Sequence, residues 1–479
     1  MWDIELKPQS ETGLSVQIFR SFRNRMLSGR IQAGEALPST RELARSLGVS
    51  RNTVTEAYER LVAEGYAVTS QGAPTRVADG LRTEPNREET EEEAQSKPAD
   101  GLPDCAAEAA APLKWDFKTG QPDLTRFPWK SWTRALREAQ GTLSPAGFGY
   151  GDPQGYGPLR TEIAGWLLRS RGIEADPSDI CITSGSTQAL YLLAGILHKE
   201  GCPFALEDPS HPGIRTIMQL GGRPVQWMPV DDRGARVDTL EGKPLSAVYV
   251  TPSHQFPLGG ILPASRRASL VRMAAEGGYY VIEDDYDSEF RYRGAPVSPL
   301  YEMDPSRVVY VGTFSKTMFP ALRIGFALLP PSLKSRWVHR RTFLDVQSPL
   351  LEQAALTLFL RERLLDRHVR RMRRIYGTKR QTLLTALETA FGDSVRAQGE
   401  ASGLHTAVRF PIGTDAEALE AACRKEGIGV YALTRYATVR AEADRNTLLL
   451  GYGHLEPEAI REGIEALGAV YAGIRAYHD

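Results

Sequence analysis

The sequence predicts an α/β protein in two unequal domains: a small helical one closed by a hairpin, and a large one whose mostly parallel sheet is completed by a small C-terminal α+β lobe. Three observations predict it. Two capped helical patterns and a hairpin pattern fall within residues 1–78. A stretch almost empty of large apolar residues follows. Beyond it, short β-branched runs alternate with longer helical ones, as strands joined by crossover helices do.

The bulk properties bound the function. A chain of 479 residues exceeds one ordinary core, since domains usually run about 100 to 200 residues. With 42% hydrophobic and 24% charged residues the composition is that of a globular protein, and no apolar run approaches the roughly 20 residues of a membrane helix, which excludes a membrane protein. The opening MWDIELKPQSETG has neither a basic start nor an apolar core, so it lacks the plan of a secretory signal and a cytoplasmic protein is expected. Cys105, Cys181, Cys202 and Cys423 show no C-x-x-C spacing, which argues against a zinc site or a disulfide framework, and no metal is expected. The formal net charge of -1 decides nothing about nucleic acid, because a local basic face can bind DNA on a neutral protein.

In LPSTRELARSLGVSRNTVTEAYERLVAEGY, Ser39 and Glu42 form an S-x-x-E capping box after Pro38, so a helix is expected from about Thr40 to Leu47. Gly48 can take the positive φ that ends it, and Ser50 can cap a second helix with Val54, Ala57, Tyr58 and Leu61 at apolar spacing. Tyr66–Thr69 and Thr75–Val77 read as strands around Gln71-Gly72. This is a helix-turn-helix with a wing. Arg51, Asn52 and Thr53, at the exposed start of the second helix, are residue types that contact phosphates and base edges in a major groove, while Arg41 and Arg45 could grip the backbone. A helical hairpin with ordinary surface arginines is the alternative. Residues 79–113, including RTEPNREETEEEAQSKPADGLPD, read as a linker extended by like-charge repulsion or as a short solvated Glu-rich helix.

From residue 114 to 479 the runs DICIT, CPFALE, SAVYVT, YYVIED, RVVYVG and RIGFALL are expected strands, followed by long helices through Glu388 and the short strands HTAVRF and TLLLGY. VVYVGTFSKTMFPALRIGF places Lys316 in a hydroxyl-rich loop after a buried strand. A partly desolvated lysine near other cations forms Schiff bases, and Thr313, Ser315 and Arg323 suit a bound phosphate, although a short T-x-S-K also fits a surface lysine. In YYVIEDDYDSEF, Asp284 and Tyr286 share a face and Asp285 points away. A carboxylate aimed at a pyridine nitrogen keeps it protonated and a phenol can bond a neighbouring ring oxygen; a solvated turn is the plainer reading. ICITSGSTQALYLL offers Ser186 and Thr187 at the positive end of a helix.

The run from Leu37 to Val54 resembles the winged-helix domain of the GntR family of bacterial transcription regulators, with Gly72-Ala73-Pro74-Thr75 where many relatives have G-x-G-T at the wing. From about Trp115 onward the chain resembles fold-type-I pyridoxal-phosphate enzymes. Together the two parts resemble the MocR/GabR subfamily. That resemblance implies pyridoxal 5'-phosphate held by Lys316 as an internal aldimine, Asp284 at the pyridine nitrogen and Tyr286 at the ring hydroxyl. Ser186, Thr187, Thr313, Ser315 and Arg323 would surround the phosphate, and His211 would stack on the ring. His254 and Gln255 would sit beside the pocket, and Arg435 would bind the effector carboxylate. It further implies operator DNA, a domain-swapped homodimer and an amine or amino acid exchanging onto the cofactor as an external aldimine. In the GABA-responsive relative the loop after E-x-P reads G-Y-R-R; here, without a gap, Gly213 stands where an arginine holds that effector, and Arg215 could substitute only if the loop runs differently. An effector other than GABA is therefore expected: D-alanine, another small amino acid, or pyridoxal phosphate itself. Two other readings stay open, a working aminotransferase with an appended DNA-binding head and a cofactor-free dimerisation module.

Overall fold

The structure, a computed structural model, describes residues 4–7, 12–70, 73–81, 112–294, 297–399, 402–439 and 444–478. The chain divides into two compact units, Met1–Ala109 and Ala110–Asp479. The wing turn Gln71-Gly72 and residues 82–111 of the expected linker lie outside the described residues.

The first unit comprises α1 (Leu14–Leu27), α2 (Thr40–Leu47), α3 (Arg51–Ala63), β1 (Ala67–Val68) and β2 (Arg76–Val77). Helix α2 begins where Ser39 Oγ accepts from Glu42 N at 3.2 Å and ends at Gly48, φ 66°. Helix α3 begins where Ser50 Oγ accepts from Thr53 N at 3.1 Å. Such caps are worth about 1 kcal/mol each because they satisfy donors that no helical carbonyl reaches. Val54, Ala57, Tyr58 and Leu61 are buried in one core with Ile18, Phe19 and Phe22 of α1. Helix α1 escapes the capping signals: its N-cap is Gly13, with no side-chain bond and no acidic residue in the first turn. The hairpin pairs Ala67 with Val77 and Val68 with Arg76.

The second unit runs β3 (Trp115–Asp116), α4 (Trp129–Thr142), α5 (Gly157–Arg171), β4 (Ile180–Thr183), α6 (Ser186–Leu197), β5 (Phe204–Asp208), α7 (Pro212–Gln219), β6 (Val225–Asp231), β7 (Gly234–Ala235), β8 (Ala247–Val250), α8 (Ala264–Gly277), β9 (Tyr280–Asp285), β10 (Val308–Thr313) and β11 (Gly325–Leu328). Its eight-stranded sheet has the order β4-β11-β10-β9-β8-β5-β6-β7. Strands β6, β5, β8, β9 and β10 are parallel neighbours, whereas β11 runs antiparallel to both β10 and β4. Separate apolar clusters cover the two faces, one with Trp166, Phe314 and Phe326 and one with Leu193, Leu206 and Trp337. This two-sided burial explains why the inner strands read as unbroken apolar runs. Strand β6 was not among the expected ones: Pro229 interrupts it and most of its residues are only half-buried.

Helices α9 (Pro331–Leu344), α10 (Leu350–Arg361) and α11 (Leu364–Phe391) lead to β12 (Arg396–Gln398), β13 (His405–Arg409), α12 (Ala416–Lys425), β14 (Ile428–Gly429), β15 (Tyr431–Ala432), β16 (Thr447–Gly451) and α13 (Pro457–His478). An antiparallel sheet β12-β13-β16-β15 forms the expected small lobe, and β14 pairs in parallel with β3. Among the described residues no helix is long and apolar enough to cross a membrane.

Candidate functional site

The parallel strands deliver their carboxyl ends to one crevice, the usual place for a ligand in an open α/β sheet. There Lys316, half-buried just after β10, donates from Nζ to the carbonyl oxygen of Gly120 at 2.6 Å. Burial holds its amine below the ordinary lysine range; the carboxylates of Asp287 and Asp284 oppose this, and Arg323 reinforces it. Asp284 Oδ2 accepts from the Tyr249 hydroxyl at 2.8 Å, while Oδ1 is buried without a partner. Burial pushes this carboxyl up to about 7. Asp285 faces the other way, against Arg171 at 2.7 Å and the Tyr310 hydroxyl at 2.6 Å. The Tyr286 hydroxyl lies 3.0 Å from His254 Nδ1, which is also 2.9 Å from Asp287 Oδ1.

At one side of the crevice the ends of β4, β11 and β10 lie in a row, Thr183 opposite Gly325 and Gly325 opposite Thr313. Gly185 caps α6 with φ 87°, and a Cβ there would fall 2.5 Å from an Arg323 guanidinium nitrogen. Arg323 itself donates to Ser184 O at 2.6 Å. Ser315 N donates to Thr313 Oγ1 at 3.2 Å and the two hydroxyls are 3.0 Å apart. The structure therefore sets Arg323 against the turn that opens α6 with Ser186 and Thr187. Those first two helical residues carry free backbone donors that suit an anion.

His211 caps α7, its Nδ1 accepting from Gly213 N at 3.1 Å, and its ring lies 5.7 Å from Phe256. Solvent touches it, yet desolvation by its surroundings and the charge of Lys316 hold its imidazole below the usual range. A Cβ at its neighbour Gly213 would lie 3.1 Å from Nδ1, a close contact that a small shift of the exposed His211 ring relieves. Arg215 instead donates to Thr438 Oγ1 at 2.8 Å. His254 and Gln255 separate: His254 backs Tyr286, whereas Gln255 Nε2 donates to Pro209 O at 3.0 Å and ties two loops together. Arg435 stands apart. Its Nε donates to Glu420 Oε2 at 2.9 Å, its side chain is 55% exposed, and it adjoins the crevice through Tyr436, whose ring packs 5.5 Å from that of Phe256.

Several site residues are joined only by tertiary packing and carry no local signal: Tyr249, Asp287, His405 and Gly120. His405 packs 5.4 Å from His254, and burial lowers it to about 4. Tyr249 reaches Asp284 because β8 is parallel to β9 and sets Tyr249 beside Ile282, two residues before Asp284.

In the first unit Arg41, Arg45, Arg51 and Asn52 are exposed and Thr53 is half-buried. Arg51 Nε donates to Thr40 Oγ1 at 3.2 Å, and the Thr53 hydroxyl is 2.8 Å from Ser50 Oγ. Ser39 is exposed but its oxygen already serves Glu42 N.

The crevice suits a phosphorylated pyridine aldehyde. The orphaned Asp284 Oδ1 needs a cationic N–H, the Arg323 turn needs an anion, and Lys316 supplies an amine of lowered basicity. The family description "Aminotransferase class I and II" matches residues 114–467, and "Bacterial regulatory proteins, gntR family" matches 14–77. The probable rhizopine catabolism regulatory protein MocR of Rhizobium meliloti is 31% identical over 96% of this chain and 94% of its own. The pyridoxine biosynthesis transcriptional regulator PdxR of Corynebacterium glutamicum is 32% identical over 96% of each. The crystal structure of the α-aminoadipate aminotransferase LysN from Thermus thermophilus, complexed with N-(5'-phosphopyridoxyl)-L-leucine, aligns with a TM-score of 0.69 at 30% identity, covering 76% of this chain and 93% of that one. The chain thus belongs to the aminotransferase class I and II family over its larger unit, with pyridoxal 5'-phosphate as the cofactor that family implies, and as a whole to the MocR/GabR subfamily of GntR-type DNA-binding transcription regulators.

Proposed function

We propose that this regulator senses an amine or small amino acid through its cofactor and passes the signal to operator DNA. One observation carries the reading: Lys316 and the unpartnered Asp284 Oδ1 meet in one crevice of a chain whose other unit is a DNA-binding head. When bound, the cofactor supplies an aldehyde that amines can join covalently and a ring that withdraws electrons. Lys316 would hold that aldehyde, and its depressed basicity keeps more of its own amine neutral and nucleophilic. Asp284 would hold the proton at the ring nitrogen, Tyr286 would bond the ring hydroxyl, and His211 would stack on the ring. Ser186, Thr187, Thr313, Ser315 and Arg323 would hold the phosphate. Arg435 takes the effector carboxylate after giving up Glu420. Ser39, Arg41, Arg45, Arg51, Asn52 and Thr53 form the DNA face.

The absence of an arginine at Gly213 supports an effector other than GABA, such as D-alanine or another small amino acid, with pyridoxal phosphate itself a further candidate. Exposed aromatics at Phe148 and Tyr150 support a homodimer, which we take to be domain-swapped. We take the protein to work in the cytoplasm. The test is titration of the holoprotein with a panel of amines and amino acids, read by visible absorbance and DNA affinity together. A ligand that moves both supports sensing. Transamination at roughly 1 per second or more would favour the enzyme reading.

A further inference from the structure

Helix α11 buries Leu365, His368, Val369, Met372 and Tyr376 on one side. The other side is unusual for a neutral chain. Arg363, which caps the helix, and Arg367, Arg370, Arg371 and Arg374 are all exposed. Their spacing of i, i+4, i+7, i+8 and i+11 puts them on one face. Among the described residues no carboxylate lies within ion-pair distance of any of the five. The adjacent acids are engaged elsewhere, Asp366 by Arg169 at 3.4 Å and Glu362 by Arg134. A merely solvated helix ordinarily interleaves both signs, whereas here 363/367, 367/371 and 370/374 are like-charged neighbours that work against the helix. The face continues into Thr378, Thr382 and Thr385, whose side of α11 borders an open cleft against α13.

We propose that this arginine face is a second DNA-contacting surface, which grips the sugar-phosphate backbone of duplex flanking the site read by the winged helices. The inference rests on DNA binding by the head. Eleven residues of helix rise about 16 Å, a length over which duplex DNA presents about ten phosphate charges. Guanidiniums match phosphate geometry in pairs of hydrogen bonds. Tethering to a DNA-bound head raises the local concentration of duplex, so contacts too weak to act alone contribute.

The test uses the full-length holoprotein with Arg367, Arg370, Arg371 and Arg374 all replaced by Gln, a good helix former that also removes the repulsion. Affinity is measured over a salt series on two random-sequence duplexes, one just filling the winged helices and one several turns longer. The variant is expected to match wild type on the short duplex. On the long one its log K against log salt slope should be shallower by about 2 to 4, at about 0.9 per phosphate released. Lysine at the same four positions should restore the slope. Equal slopes for wild type and variant on the long duplex would overturn the proposal, as would lysine failing to restore a slope that glutamine had reduced. Loss of self-association in sedimentation with unchanged slopes would instead make the face an interface between copies. Failure of wild type to bind the short duplex would indict the head and not the arginine face.

Discussion

Lys316 Nζ donates to the carbonyl oxygen of Gly120, and the space a Cβ would take at Gly120 lies only 2.8 Å from that nitrogen. Gly120 also has φ 69°, which side chains rarely adopt. This contact aims the amine into the crevice. Lys316→Ala is expected to lose the visible band that borohydride reduces. Gly120→Val should displace the amine and weaken cofactor binding while leaving some band. An Ala variant that keeps a reducible band would remove Lys316 from its role.

For the head, Arg51 starts α3 and Arg41 lies in the first turn of α2, both exposed. Arg51→Ala and Arg41→Ala should weaken binding in gel shifts. A phosphate contact should reduce the salt slope by about 1 for every sequence, whereas a base contact should relax one operator position at a cost of about 1 to 3 kcal/mol. Unchanged affinity in both variants would defeat the recognition-helix assignment.

What could be read from sequence was local. Ser39 with Glu42 and Ser50 with Thr53 act within three residues, so the helix starts were legible. The opposite facing of Asp284 and Asp285 follows from strand alternation alone. Strand β6 was not legible, because Pro229 and its half-buried residues imitate a loop. Nor were the partners that decide the chemistry: Tyr249 is 35 residues from Asp284, and Asp287 is 33 from His254. Glu420 sits on a different element from Arg435, so an arginine that reads as a free carboxylate receptor proves to be already paired.

The raised pKa of Asp284 has a thermodynamic consequence in the cofactor-free protein. Below about pH 4 the carboxyl is neutral in both folded and unfolded chains. Between its ordinary value of 3.8 and its folded value of about 7 only the unfolded chain ionises, so stability falls as pH rises through that window and levels off above it. At about 1.4 kcal/mol per unit the penalty is at most about 4 kcal/mol. Asp284→Asn should therefore make the apoprotein more stable than wild type near pH 8, with the gap closing towards pH 4, while it weakens retention of the cofactor. Urea midpoints at several pH values check this, since the other buried acids are common to both proteins. A gap that does not change with pH would show that Asp284 is ionised in the folded apoprotein.

Arg435 offers the sharpest separation of sensing from cofactor and DNA binding. Its guanidinium is engaged by both Glu420 oxygens, and Glu420 also accepts from Ala432 N at 2.9 Å. A carboxylate effector bound there, as proposed above, would have to compete with Glu420 for the same donors, and a bidentate, charge-assisted pair would be the selective element. The ligand must also favour one arrangement of the DNA-binding heads, because equal affinity for both states shifts nothing. Arg435→Ala should keep the visible band and DNA affinity yet lose the response to a carboxylate effector. Glu420→Gln keeps an oxygen for Ala432 N but removes the competing charge, so it should bind the effector several-fold more tightly. Parallel titrations by visible absorbance and reporter expression distinguish the outcomes. A normal response in Arg435→Ala, or weaker effector binding in Glu420→Gln, would place the carboxylate elsewhere in the crevice.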